Sequence, residues 1–399
     1  MVNVAVLGYG TVGGGVVKVI ETNKALIEKR IGDEICVKYI LDLREFPGDP
    51  YENKVVHDYK EIVNDNTVNI ICETMGGLKP AYDFTKEALS KGICVCTSNK
   101  ELVAAHGPEL ISIAKANNCN YLFEASVGGG IPIIRPLNES LTAEKIEYIM
   151  GILNGTTNYI LTKMEKEGSK FDDVLKEAQE KGYAERNPEA DIEGYDACRK
   201  IAILSSLMAG KTMRYENVYT EGITKITAAD FAYAKKLNRT IKLFGLSRDE
   251  DGEYFAMVSP FMISKDHPMA MVNDVFNAIF VHGNMLDDTM YYGRGAGKEP
   301  TASAVVSDVV ECARNLGRTV PVLWDAEEVK VKSTDDVKFE YFVRVDAKDA
   351  AKAKEVFKDI SSVDAGVASE FAFTTKEMAE KEFNKKAAEV SMISRIRMM

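Results

Sequence analysis

The chain has 399 residues, 46% of them apolar, which is too long for one hydrophobic core and enough for two or three domains. Its 50 Lys and Arg against 61 Asp and Glu leave a net charge of −11, with the basic residues scattered rather than striped, which argues against nucleic acid as a partner. The seven cysteines form no CxxC pair, no histidine stands at zinc-ligand spacing, and no apolar run approaches a membrane span. With a strand already begun in the first ten residues, where a signal peptide would lie, these features predict a soluble cytoplasmic protein with reduced thiols.

Residues 2–7, VNVAVL, form a β-branched apolar run that ends in GYGTVGGG and continues as an amphipathic stretch, VVKVIETNKALIEKR. This is strand, glycine turn, helix. Strand-like runs at 35–41, 68–72, 93–96 and 120–123 then alternate with helical patterns such as YDFTKEALSKG and GPELISIAKANN. The alternation predicts an α/β, doubly wound parallel sheet over residues 1–142. After VGGGIPIIRPL the rhythm changes to strands, two acidic helices and long β-branched runs, which predicts an α+β catalytic domain over 143–297. GRGAGKEPTASAVVSDVVECARNLG predicts a helix within 298–320 that returns to the first domain. A linker and a small tail domain complete the chain over 321–399, and no internal repeat is present.

Gly8-x-Gly10-x-x-Gly13 closes a strand and opens a helix, the context a Rossmann-type dinucleotide motif requires. The first glycine allows the tight turn, the second lets backbone approach a pyrophosphate, and the third lets helix and strand pack closely. Asp42, at the end of the second strand, is the candidate acceptor for ribose hydroxyls. It lies 29 positions after Gly13, against the usual spacing of about 20, so a long first helix and loop are predicted. Arg44 beside it suits the 2′-phosphate of NADP, and the choice between NAD and NADP stays open.

Hydride transfer to a carbonyl also needs a proton donor and groups that orient the substrate. The four histidines, at 57, 106, 267 and 282, stand near turns or strand ends and are read as structural. Lysine is the better acid. Asp196 and Lys200 share one face of a helix that begins near Gly194, a favoured i,i+4 pair. On the surface such a pair is worth only about 0.3–0.5 kcal/mol, but the apolar IAILSSLMAG that follows predicts burial at the mouth of the helix.

The chain resembles homoserine dehydrogenase over roughly residues 1–318, through GYGTVGGG, ETMGG, TSNKELVAAHG, FEASVGGGIPII, GILNGTTNYI, GYAERNPEADIEGYDACRKIAIL and GRGAGKEPTASAVVSD in the family order. The resemblance implies NAD(P)-dependent interconversion of L-homoserine and L-aspartate 4-semialdehyde in threonine and methionine biosynthesis. It assigns proton transfer to Lys200 and places Lys100 beside the cofactor and the reacting carbon. Glu185 and Asp196, supported by Asp191, would hold the substrate ammonium, with Gly155 and Thr156 lining the pocket. The cofactor set takes in Gly8, Gly10, Thr11, Val12, Gly13, Asp42, Arg44, Thr74, Ser98, Lys100 and Gly297. Glu124, Val127, Gly129 and Ile131 match a backbone-oxygen site for a monovalent cation such as Na⁺. Carboxylates around a lysine favour its charged form, so reduction of the semialdehyde is expected near neutral pH and oxidation of homoserine in alkali.

Leu41 stands where many members have arginine, which weakens a strong NADP preference, and a glycine turn this near the start of the sequence predicts a form without the fused kinase. Two competing functions are carried. A semialdehyde dehydrogenase of the acylating kind would need a cysteine nucleophile, and Cys198 faces away from Lys200 by helical phase. A cofactor-binding amino-acid sensor without catalysis would have no need for both Lys100 and Lys200. The tail resembles an ACT domain, βαββαβ, with VDAKDAAKAKEV where threonine-binding members carry a glycine-rich turn. It is therefore expected to ignore threonine. A second copy, in a homodimer or homotetramer, is expected to cover the apolar faces of FEYFVRV and SMISRIRM.

Overall fold

The computed structural model describes all 399 residues and divides them into two compact units, each drawing on three stretches of chain. The first comprises Met1–Lys145, Ala202–Arg214 and Tyr291–Val329; the second comprises Ile146–Ile201, Tyr215–Met290 and Lys330–Met399.

In the first unit, six strands lie in the order Val55–Val56, Ile35–Leu41, Val2–Leu7, Val68–Glu73, Cys94–Thr97 and Tyr121–Leu122, and every adjacent pair is parallel. A parallel sheet covered on both faces tolerates no alternation, hence the near-continuous apolar runs, with Val4, Val6, Val37, Ile70 and Val95 fully buried. The predicted long first helix is instead two, Thr11–Thr22 and Lys24–Ile31, divided at Asn23, and this break takes up the extra distance between Gly13 and Asp42. The helix expected from Gly107 onward begins at Lys100 and runs to Ala116 with Pro108 inside it. Helix Lys298–Arg314 packs on Thr11–Thr22 so closely that a Cβ added to Gly15 would stand 2.8 Å from that of Ala302.

The second unit is built on one large sheet. Its central order is Phe276–Gly283, Ile146–Ile152, Arg239–Glu250, Glu253–Ser264, Met392–Met398, Lys338–Asp346, Glu370–Thr374 and Ser361–Val363, with Asp287–Arg294 on the outer edge. The tail runs strand, helix, strand, strand, a two-residue strand Met378–Ala379 that pairs with Lys338–Asp346, helix, strand, and its four longer strands stand last, first, third, second.

Two expectations about the tail are corrected here. It has no sheet of its own, because Met392–Met398 pairs in parallel with Glu253–Ser264, Phe261 opposite Arg397. That pairing satisfies backbone groups which two separate sheets would leave as open edges. Nor does FEYFVRV need a second copy to cover it. Phe339, Tyr341, Val343 and Val345 share a core with Phe255, Phe261, Phe357 and Phe383. On the other face, the Phe342 ring lies 5.4 Å from that of Tyr233, and Arg344 is buried against Asp230 at 2.8 Å and Glu370 at 2.6 Å.

Candidate active site

The glycine turn follows from steric necessity. Gly8 has φ +92°, a conformation side chains resist, and a Cβ on Gly13 would stand 1.8 Å from the Gly8 carbonyl oxygen. A Cβ on Gly10, by contrast, meets nothing within 4 Å. The open space at Gly10 lies at the start of helix Thr11–Thr22, whose first N–H groups, those of Thr11, Val12 and Gly13 among them, have no intrahelical acceptor and suit a pyrophosphate. Thr74 supports the turn, its hydroxyl donating to the carbonyls of Leu7 (2.9 Å) and Gly8 (3.0 Å). Gly297, φ +124°, caps helix Lys298–Arg314, and the Lys298 ammonium comes within 3.8 Å of where a Gly14 Cβ would sit. The sequence reading passed over this lysine.

Gly8, Gly10, Asp42, Arg44 and Thr74 line one cleft of about 540 Å³. Asp42 and Arg44 form a clasp inside it. Arg44 Nε and Nη2 donate to the two Asp42 carboxylate oxygens at 3.0 and 2.9 Å, and the Tyr9 N–H donates to the second at 2.8 Å. The Arg44 hydrogen bond holds the Asp42 carboxyl well below the usual range. His57, hydrogen-bonded through Nδ1 to the Asp42 carbonyl at 2.7 Å, lines the same cleft.

The ends of the third and fourth long strands are joined through Glu73, which is fully buried and accepts from Thr97 Oγ1 at 2.7 Å and from the Met75 N–H at 2.8 Å. Burial raises its carboxyl above the ordinary range. Thr97 Oγ1 also takes the Asn99 N–H, and the Asn99 side chain caps the helix that Lys100 opens. Ser98 and Lys100 are both half-buried on this shoulder.

The Glu124–Ile131 bend is held from inside the unit. The Glu124 carboxylate accepts three backbone N–H groups, from Ile133, Ile134 and Arg135, at 2.6–2.9 Å, and its own N–H donates to Asp308 at 2.8 Å. Asp308 is buried, which raises its carboxyl, and Arg135 answers it at 2.6 Å. Gly129, φ +54°, would place a Cβ 2.4 Å from the Gly295 carbonyl; Val127 and Ile131 are buried. The Glu124 carboxylate is thus committed to the backbone N–H groups that follow the bend.

In the second unit the strand Ile146–Ile152 ends at Leu153, and Asn154 caps helix Gly155–Glu167 by accepting the Thr157 N–H at 2.9 Å. The same Asn154 amide donates to Asp191 Oδ1 at 2.7 Å and to Asp196 Oδ2 at 2.9 Å. Asp196 Oδ2 in turn takes Lys200 Nζ at 2.7 Å, and Lys200 donates a second bond to the Leu153 carbonyl at 2.8 Å. The Lys200 and Asp196 side chains are 12% and 9% exposed, so this is no solvated surface pair. An ammonium carries three N–H donors, and these two bonds use two of them. Asp191 is pushed above the usual carboxylate range by burial and by neighbouring Asp196.

Gly155 presses on the Val275 carbonyl, where a Cβ would stand 2.9 Å away, and Thr156 Oγ1 donates to the Tyr183 carbonyl at 2.6 Å. Glu185 does not join the cluster: its side chain is exposed, and its carbonyl accepts from Gln179 at 3.1 Å. Asn154, which organises the group, was missed by the sequence reading, although an asparagine just before the helical GTTNYI is a capping signal. Cys198 turns to the Tyr215 carbonyl at 3.3 Å, away from Lys200.

A dinucleotide-type glycine turn in one unit and a desolvated lysine among carboxylates in the other define a pyridine-nucleotide-dependent oxidoreductase acting on an amino-bearing substrate. Family models agree: residues 8–124 match the homoserine dehydrogenase NAD-binding domain and 132–310 match homoserine dehydrogenase. The homoserine dehydrogenase of Bacillus subtilis is 39% identical over 368 residues, 91% of this chain and 84% of its own. A homoserine dehydrogenase structure from Thiobacillus denitrificans superposes with a TM-score of 0.90 at 35% identity, covering 100% of this chain and 98% of that one. A hyperthermophilic archaeal homoserine dehydrogenase in complex with NADPH covers 79% of this chain and 99% of its own, with a TM-score of 0.67 and 30% identity. This chain belongs to the homoserine dehydrogenase family. It interconverts homoserine and aspartate semialdehyde with NAD or NADP, which removes the acylating dehydrogenase and the sensor as readings.

Proposed function

We propose that Lys200 is the proton donor and acceptor of this reaction, with Asp191 and Asp196 holding the substrate ammonium. The observation that carries this is the buried Lys200, fixed by Asp196 and the Leu153 carbonyl with one donor to spare. Two carboxylates bridged by one Asn154 amide repel each other, and a substrate ammonium relieves that repulsion. The nicotinamide, when bound, supplies or accepts the hydride. Lys200 gives its proton to the carbonyl oxygen of the semialdehyde, or takes it from the homoserine hydroxyl. Gly155 and Thr156 line the pocket at the helix start, and Lys100 stands by the cofactor.

The cofactor set comprises Gly8, Gly10, Thr11, Val12, Gly13, Thr74, Ser98, Lys100 and Gly297. The Asp42–Arg44 clasp supports use of NADP, since the exposed Arg44 guanidinium stands at the ribose end of the cleft where it can reach a 2′-phosphate while the Tyr9 N–H still holds Asp42, whereas NAD must draw Asp42 from both. NADP is the cofactor in our reading, with NAD as the second. A monovalent cation on the backbone oxygens of Glu124, Val127, Gly129 and Ile131 is part of the proposal. So is a homodimer or homotetramer, supported by exposed Met285, Leu286 and Met290 beside the outer sheet edge. No helix is long and apolar enough to cross a membrane, and the seven unpaired cysteines suit a reducing cytoplasm.

Nicotinamide absorbance with homoserine and each of NAD and NADP tests the whole reading. Homoserine-dependent reduction of NADP is expected, and no turnover with either cofactor would refute it.

A further inference from the structure

The last strand of the chain ends in a buried charge cluster that is larger than sheet pairing requires. Arg397 is 0% exposed, yet its guanidinium donates to Glu380 through Nε at 3.0 Å and Nη2 at 2.7 Å. It also donates through Nη1 to Glu221 at 2.9 Å and to Ser259 at 2.6 Å. Arg395, two residues earlier on the strand, reaches the same Glu221 at 3.1 Å and Glu380 at 3.4 Å. Glu221 is pulled below the ordinary range by the two arginines despite its burial. Buried ion pairs seldom add net stability over apolar packing, so a cluster of this size asks for a positional reason.

The residues after Glu221 supply one. The Ile223 N–H donates to the Ile192 carbonyl at 2.8 Å, and Gly222 lies against the same peptide, where a Cβ would stand 2.1 Å from Ile192 O and 2.5 Å from Glu193 Cα. Gly194, φ +85°, closes the turn from the other side, with Val258 and Thr220 3.0 and 3.2 Å from where its Cβ would be. Thr220 and Val258 are themselves register partners, and the Glu221 N–H donates to the Val258 carbonyl at 2.8 Å. Thus the short helix Glu189–Ile192 and its turn to Gly194, which carry Asp191 and lead into Asp196, rest on a platform whose far side is clamped by Arg397.

We propose that Arg397 and Glu221 are positioning residues for the substrate: they fix the Glu221–Ile223 backbone, which fixes the short helix holding Asp191, and so set affinity for the amino-acid substrate. This rests on the reading that Asp191 and Asp196 hold the ammonium. On this account the tail is a part of the substrate site, and its last strand is needed for tight substrate binding whether or not the tail takes any effector.

The test uses the full chain and three variants. Glu221→Gln keeps the shape of the side chain and removes the charge that draws both arginines. Gly222→Ala drives a methyl into the Ile192–Glu193 peptide without touching the ion cluster, and it serves if the first variant does not fold. Asp191→Asn reports on the ammonium reading alone. Both relay variants should raise KM for homoserine about five- to fiftyfold, as a shift of an ångström or less in an orienting group does, with kcat within twofold and NADPH affinity by fluorescence unchanged. Hydrogen exchange of the amides in 189–194 should quicken in both. Raised KM in Asp191→Asn with unchanged KM and exchange in the relay variants would overturn the relay. Quickened exchange with no effect of Asp191→Asn on KM would preserve the mechanical link and remove the ammonium reading, and with it the proposed effect on substrate affinity.

Discussion

The glycine turn and the lysine–carboxylate cluster, which in the proposed reading each hold a charged ligand, are built by opposite means. The turn spans Gly8 to Gly13 and works through absent side chains: room at Gly10, none at Gly13. The cluster gathers Leu153, Asn154, Asp191, Asp196 and Lys200 from segments up to 47 positions apart and works through polar side chains that leave one ammonium donor unspent. The difference predicts how each fails. A turn fails by collision, all at once, whereas a polar cluster fails by degrees as each partner is lost.

The sharpest blow to the turn is Gly13→Ala. With no space for the methyl beside the Gly8 carbonyl, NADPH affinity should fall about 100-fold or more, roughly 2.7 kcal/mol, in a fluorescence titration. A loss under threefold would show that the turn yields. Asn154→Ala strikes the cluster at its shared donor. It leaves Asp191 and Asp196 without their common amide and removes a helix cap, so KM for homoserine should rise about tenfold and denaturant stability fall by about 1–2 kcal/mol. Unchanged kinetics would mean that the carboxylates are held apart by other groups.

Smaller effects separate the finer features. Arg44→Ala should weaken NADP about tenfold while freeing Asp42 for the ribose of NAD, so the ratio of the two kcat/KM values is the readout. Equal losses for both cofactors would show that the clasp does not discriminate. Asp191 gives the mildest prediction, a pH dependence. Its carboxyl is raised in the fold, so it takes up a proton at higher pH than an ordinary aspartate, and KM for homoserine should begin to rise above the usual carboxylate range as pH falls. The same sign makes its ionisation a cost to folding, since stability is lost as pH rises through the raised value. Asp191→Asn should therefore unfold at a slightly higher temperature at neutral pH while binding homoserine less well. A lower unfolding temperature would show that burial is not what raises this group.

What could be read in advance divides along the same line. Gly8, Gly10 and Gly13 declare themselves because the constraint on each is local backbone geometry. The i,i+4 spacing of Asp196 and Lys200 was equally legible, and the apolar run after it announced their burial. Asn154 was open to recognition as a cap, but its second task, bridging Asp191 and Asp196, depends on segments about 40 residues away. The Asp42–Arg44 clasp escaped notice because both residues were assigned to cofactor and neither to the other. In the tail, alternating patterns pointed to the main strands and helices but not to the short strand Met378–Ala379, and the pairing of Met392–Met398 with Glu253–Ser264 did not show, since a strand's own period says nothing about its lateral neighbour. Glu185 shows the reverse case: a motif match placed it with the carboxylates, and the structure leaves it exposed.

The claim at the centre of this account is that Lys200 moves the proton, and turnover of Lys200→Ala measures it. Loss of about 10²–10⁴ in kcat in both directions, with NADPH affinity unchanged, is the predicted result. A variant that keeps most of its turnover would contradict it and reduce the Asp196–Lys200 pair to a buried brace between a helix and the Leu153 carbonyl.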